Sequence, residues 1–186
     1  MLVSQSVTRA SKGGMGHVKA GANYAGTLEI TNRAKAMGCA QVMFLDSKHD
    51  SRIEEMGGMN VLFVDNGTLV TPPLGGSILP GVTRDSLITL AREMGVPVRE
   101  EAPEIGAIIE GIESGRISEA MACGTAAVVT GIGAFHFEDG RMVQLRHATP
   151  GPITNALFNA LRGIQYGEVE DKHGWIVPVI RNGKPV

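Results

Sequence analysis

The chain has 186 residues, 43% hydrophobic and 19% charged, with a formal net charge of -2. That length can bury a core, and that balance suits a globular protein with no pull toward nucleic acid or an acidic membrane. No apolar run is long enough for a membrane helix, the N-terminal "MLVSQSVTRASKGG" lacks the apolar stretch of a secretory signal, and the 2 cysteines, Cys39 and Cys123, exclude a disulfide scaffold and suit a reducing cytoplasm.

In chain order, "ANYAGTLEITNRAKAMGCAQ" predicts a helix capped by Asn23, with an apolar face of Leu28, Ile30, Ala34 and Met37 and a stop at Gly38. "QVMFLD" predicts a short strand. "MNVLFVDNGTLVTPP" predicts a hairpin that turns at Asp65-Asn66-Gly67. "VTRDSLITLAREMGV" predicts a helix capped by Thr83, striped by Leu87, Leu90, Ala91 and Met94, and ended by Gly95. An edge strand "VPVREE" and a helix over "EIGAIIEGIESGR" follow. "ISEAMACGTAAVVTGIGAF" predicts two strands bent at Gly124, and "FEDGRMVQL" a hairpin about Asp139-Gly140. "TPGPITNALFNALRGIQYG" predicts a helix with Pro152 in its first turn, before a mixed, polar tail over residues 170–186. Hairpins among the helices argue against a purely parallel sheet. The expected fold is one α+β domain over residues 1–186, a barrel-like mixed sheet with flanking helices.

The chain holds 25 glycines against an average usage of about 7%. They gather in short groups, where a backbone either turns or comes close to a ligand. The 5 histidines are scattered, and no paired-Cys or HExxH pattern suggests a metal. Two places suit an anion. In "LPGVTRDSL", Gly81, Val82 and Thr83 lead into a helix N-terminus with unpaired N–H groups; in "ACGTAAV", Thr125 offers a hydroxyl beside Gly124. Taken alone, each reads first as a cap or a bend. Lys19 lies in "GHVKAGANYAG", where small neighbours would desolvate an amine and favour its neutral, nucleophilic form. An amine with a phosphate cradle suggests pyridoxal 5'-phosphate, whose pyridine nitrogen needs an acid; Glu54 and Glu55 stand before the glycines of "EEMGGMN". The alternative is a surface lysine and a solvated acidic pair.

Together "GHVKAGANYAG", "EEMGGMN", "TPPLGGSILPGVTRDSL", "ACGTAAV" and "IQYGEVEDKHGWIVPV" resemble, in order and spacing from Lys12 to Pro178, the branched-chain amino acid aminotransferases. These are fold-type IV pyridoxal phosphate enzymes. The resemblance implies transamination of leucine, isoleucine and valine with 2-oxoglutarate or glutamate. It implies Lys19 as the Schiff-base lysine, Glu55 as the partner of the pyridine nitrogen and Tyr24 as the partner of the phenolic oxygen. It further implies Leu79 on the ring face, Val82, Thr83 and Thr125 at the phosphate, and Thr125 and Ala126 at the substrate carboxylate.

Three departures qualify it. The family's N-terminal small domain, with its arginine for the phosphate and much of the side-chain pocket, has no counterpart here. Ala22 stands where the family has glycine. Ala127 and Thr130 stand where some animal members carry a redox-active CxxC, so no thiol switch is expected and Cys123 is expected to be a buried core residue. Weakened transamination in a homo-oligomer is therefore expected. An inactive cofactor-binding fragment or assembly partner, and an aminodeoxychorismate lyase-like enzyme, are the alternatives.

Overall fold

A computed structural model describes residues 1–146, 149–181 and 184–185. Five strands form a first mixed sheet: β1 (Leu2–Ser4), β2 (Val42–Leu45), β3 (Ile53–Met56), and, from further along the chain, the strands at Ala134–Phe137 and Met142–Gln144. The second sheet holds β4 (Asn60–Asp65), β5 (Thr68–Thr71), β6 (Val98–Glu100), β7 (Ile117–Gly124) and β8 (Val128–Gly131). With Ala134–Phe137 as β9 and Met142–Gln144 as β10, the orders are β10-β9-β1-β2-β3 and β6-β5-β4-β7-β8. The helices are α1 (Gly21–Ala25), α2 (Leu28–Ala36), α3 (Val82–Glu93), α4 (Ile105–Ser114) and α5 (Pro152–Gln165). A two-stranded ribbon of β11 (Ile180–Arg181) and β12 (Lys184–Pro185) lies in the tail, whose residues 182, 183 and 186 are outside the described residues.

The strands alternate, but with apolar residues on both faces, because each sheet is covered twice. Val3, Met43, Phe63, Ala120 and Phe135 face inward, where the two sheets share a core with Ile108, Ile109 and Ile112 of α4. Leu2, Val42 and Phe44 face outward onto Ile30 and Ala34 of α2. Leu62, Val64, Leu69, Met121 and Cys123 face outward onto Leu87, Leu90 and Ala91 of α3 and Leu157, Leu161 and Ile164 of α5. The expected mixed α+β architecture with flanking helices is thus present, its barrel-like centre made by two facing sheets.

Most local expectations hold. The β4–β5 hairpin turns through Asn66 and Gly67, at φ 46° and 76°. Both central residues of the turn are left-handed, as a primed hairpin turn requires. Four expectations need correction. The helix expected from residue 22 onward is two helices, and Asn23 caps neither. It is buried in α1, where its Nδ2 donates to the carbonyls of Met15 at 2.7 Å and Val18 at 3.0 Å. Leu28 and Met37 are exposed, because α2 is a short surface helix with a narrow buried stripe. Thr83 lies inside α3, whose N-cap is Gly81. Met94 is exposed at the end of the same helix.

Two strands carried no recognisable pattern. β1 is three residues long, yet it is central, parallel to both β2 and β9. β3 contains both Glu54 and Glu55. The N-terminus of α5 is satisfied from a distant strand: Glu119 of β7 accepts from the N–H groups of Ile153 at 2.9 Å and Thr154 at 2.8 Å. A Cβ at Gly151 would overlap that carboxyl group, so glycine is needed there.

Candidate active site

The antiparallel pairing of β4 with β7 sets Asn60, the first residue of β4, opposite Cys123, near the end of β7. Three connections therefore meet at one end of the second sheet: the glycine turn before β4, the segment before α3 and the turn between β7 and β8. A cavity of about 210 Å³ opens between them, lined by Lys19, Glu55, Asn60, Leu79, Val82, Thr83, Cys123 and Thr125 among others. Six of the eight residues to which the resemblance gives a role line it, and Glu54 lines a different cleft. Tyr24, half-buried in α1, and Ala126, exposed in the β7–β8 turn, are not among the lining residues.

The floor is buried and the rim is open. Glu55, Asn60 and Cys123 are buried; Lys19, Val82 and Thr125 are exposed. The desolvation expected for Lys19 from its small neighbours is thus not found in this chain. Val82 is 82% exposed, so what it can offer the cavity is its backbone. There α3 begins, and the first N–H groups of its 12 residues have no partner within the helix. A Cβ at Gly81 would lie 2.2 Å from Asn60 Oδ1, so a larger residue there would displace the Asn60 amide. Val128, just past the β7–β8 turn, is held at φ 56°, a strained conformation for a β-branched residue bordering the site.

Glu55 is the perturbed carboxyl of the floor. Burial pushes its carboxyl up to about 7, against the pull of Arg9, the Leu79 N–H and Lys19 and with a further push from Glu54. It forms a buried ion pair with Arg9. Leu79 N–H donates to its Oε1 at 2.9 Å, and Asn60 Nδ2 donates to Leu79 O at 3.0 Å. Cys123 is fully buried and burial pushes its thiol up to about 12, which suits an inert core residue.

Sequence reading missed Arg9 and Asn60. Arg9 stands in "VTRAS", with nothing local to separate it from a surface arginine. Asn60 gave a weak signal, as a polar residue opening an apolar strand just after two glycines. A second cleft, about 320 Å³, lies on the other side of β3, lined by Lys12, Asp46, Lys48, His49 and Glu54 among others. It is larger, but its charged groups are mostly solvated and mixed in sign, and it holds neither Lys19 nor a helix N-terminus.

The amine, the buried carboxylate and the helix N-terminus fit pyridoxal phosphate as a donor set. The volume is below the roughly 300–1,000 Å³ of drug-sized pockets, which suits a single-ring ligand.

Comparisons with known proteins place the chain among aminotransferases. The probable branched-chain-amino-acid aminotransferase of Staphylococcus epidermidis is 41% identical over 177 residues, covering 95% of this chain and 49% of the relative. The branched-chain-amino-acid aminotransferase of Mycolicibacterium smegmatis is 44% identical over 178 residues, covering 94% and 48%. The branched-chain amino acid aminotransferase of Escherichia coli superposes with a TM-score of 0.79 at 35% identity, covering 94% of this chain and 55% of that one. The Thermobaculum terrenum enzyme in its PLP form gives 0.76 at 32%, covering 90% and 51%. The chain spans about half the length of these relatives. A model of the amino-transferase class IV family matches residues 3–135, and the chain belongs to that family.

Proposed function

We propose that this chain is the cofactor-binding part of a pyridoxal phosphate-dependent aminotransferase of branched-chain amino acids, with 2-oxoglutarate or glutamate as the second substrate. The observation that carries the reading is the cavity that unites Lys19, buried Glu55 and the start of α3. When bound, pyridoxal phosphate supplies an aldehyde that exchanges amines and a ring that takes up electrons released at the substrate Cα. The chain's residues do the rest. Lys19 Nζ would be the residue that holds the group through its aldehyde, and would move the proton at the substrate Cα. Glu55 would hold the proton on the ring nitrogen, and Tyr24 would serve the phenolic oxygen. Leu79 covers a ring face and excludes water. The N–H groups of Val82 and Thr83, with the hydroxyls of Thr83 and Thr125, bind the phosphate. Thr125 and Ala126 N–H groups orient the substrate carboxylate.

We read residues 1–186 as one folding unit, supported by a core that runs from Val3 to Leu145 between the sheets. We place it in the cytoplasm, supported by two buried, unbridged cysteines. A homo-oligomer is supported by exposed Val82 on the cavity rim and by the further exposed apolar residues Met15, Val18 and Leu74. Light scattering tests this, and a monodisperse monomer would count against it. The same exposed residues, with Lys19 on an open rim, favour weak activity in this chain by itself.

The test is a visible spectrum with added pyridoxal phosphate, before and after borohydride, for the native chain and Lys19→Ala. A protein-bound band trapped by borohydride and lost in the variant supports the reading; activity on 2-oxoisovalerate and glutamate then tests the substrate class. No trapped band, or one that survives the substitution, overturns it.

A further inference from the structure

Glu54 and Glu55 are neighbours on β3 and so face opposite sides of it. Glu55 enters the cavity and Glu54 the outer cleft. Ser77 joins them. Its Oγ donates to Glu54 Oε1, and its carbonyl accepts from Arg9 Nη2 at 2.5 Å. Arg9 pairs with Glu55, and two residues past Ser77 the Leu79 N–H donates to Glu55. The lysine loop is seated on the same segment. Gly16 O accepts from Arg9 Nη2 at 2.9 Å, and His17 N–H donates to Gly76 O at 3.0 Å. A Cβ at Gly16 would lie 2.1 Å from Ser77 O, so the loop lies flush against it.

We propose that Glu54 is a positioning residue for the cavity: by holding Ser77 Oγ it fixes the segment on which Arg9, the Leu79 N–H and the lysine loop are seated, and its own charge opposes ionisation of Glu55. The proposal rests on reading the cavity as the cofactor site, where the charge state of Glu55 sets the hold on the ring nitrogen. The charged groups acting on Glu55 are Arg9 from the loop after β1, Lys19 and Glu54. Those acting on Glu54 are Asp46 from the β2–β3 turn and Arg9. Two substitutions separate the two roles of Glu54. Glu54→Gln removes the charge and keeps an acceptor for Ser77. Glu54→Ala removes both.

The experiment is a pH titration of the Glu55 carboxyl by ¹³C NMR in the cofactor-free chain, the resonance assigned by its loss in Glu55→Gln. Glu54→Gln lowers the Glu55 midpoint by about half a pH unit or more. Glu54→Ala gives a midpoint at least about half a unit above that of Glu54→Gln, because Arg9 and the Leu79 N–H lose their fixed seat. Should Glu54→Ala fail to fold, Glu54→Gln combined with Ser77→Ala breaks the same contact and shows the same rise. Coincident midpoints for the variants with and without the contact overturn the positioning role, and an unmoved Glu54→Gln midpoint overturns the charge role. The titration uses no cofactor, so it stands apart from the spectral test: a protein that fails to trap pyridoxal phosphate but shows the two shifts loses the cofactor reading and keeps the Glu54–Ser77–Glu55 linkage.

Discussion

The two sides of β3 present two concavities, and the smaller one carries the chemistry. The outer cleft is roomier, yet Asp46, its best-connected acid, is spent on the turn that makes it. Burial works against ionisation of Asp46, but the N–H of Arg52, the His49 ring and the N–H groups of Ser51 and His49 outweigh it and hold the carboxyl at about 2. Such a group is a structural anion with nothing left to give. The inner cavity keeps its acid under opposite conditions: buried, close to neutral pH in its affinity for a proton, and facing an amine. What distinguishes a site is a buried acid held near neutral pH beside an amine, and volume is a poor guide to it.

That contrast can be broken most decisively at Lys19. Lys19→Ala abolishes covalent capture of pyridoxal phosphate, whereas Lys48→Ala in the outer cleft leaves it intact; equal losses in absorbance after borohydride would erase the distinction. Next in size is Arg9→Ala, which strands Glu55 without its cation and costs about 3 kcal/mol in urea unfolding near neutral pH.

The pH dependence sharpens the comparison further. A carboxyl raised to about 7 in the fold and near 4.5 in the unfolded chain binds more protons when folded. Its contribution to stability is present below about 4.5 and is lost as pH rises to about 7, amounting to no more than about 3 kcal/mol. Melting curves of the cofactor-free chain should show that decline, and Glu55→Gln should flatten it. The smallest effect belongs to the outer cleft: Asp46→Ala costs about 1–2 kcal/mol through the lost turn contacts and leaves the affinity for pyridoxal phosphate unchanged.

The elements legible in the sequence were those with local causes: the Asn66-Gly67 hairpin, the Leu87–Leu90–Ala91 stripe of α3, and Pro152 opening α5. Those set by distant partners were not. β1 is too short to show a period, β3 looks like a charged loop because its two acids are each satisfied by other segments, and Glu119 reaches α5 from a strand more than thirty residues earlier in the chain. The site divides in the same way. Lys19, Glu55 and the Gly81–Val82–Thr83 start of α3 carry their chemistry in their neighbours, and the cavity gathers them. Arg9 carries none, and its role exists only once Ser77, Gly16 and Glu55 have been brought around it.

The central position of β1 bears on how the chain reaches this state. Leu2 pairs in parallel with Val42 on one side and with His136 on the other. The first sheet cannot be closed until a segment from the far part of the chain arrives, and the entropy of that long loop must be met before the contact repays it. Until β9 arrives, Leu2 and Val3 lie uncovered on one edge of β1. Refolding should therefore be slow for a protein of this size, with the first sheet completing last.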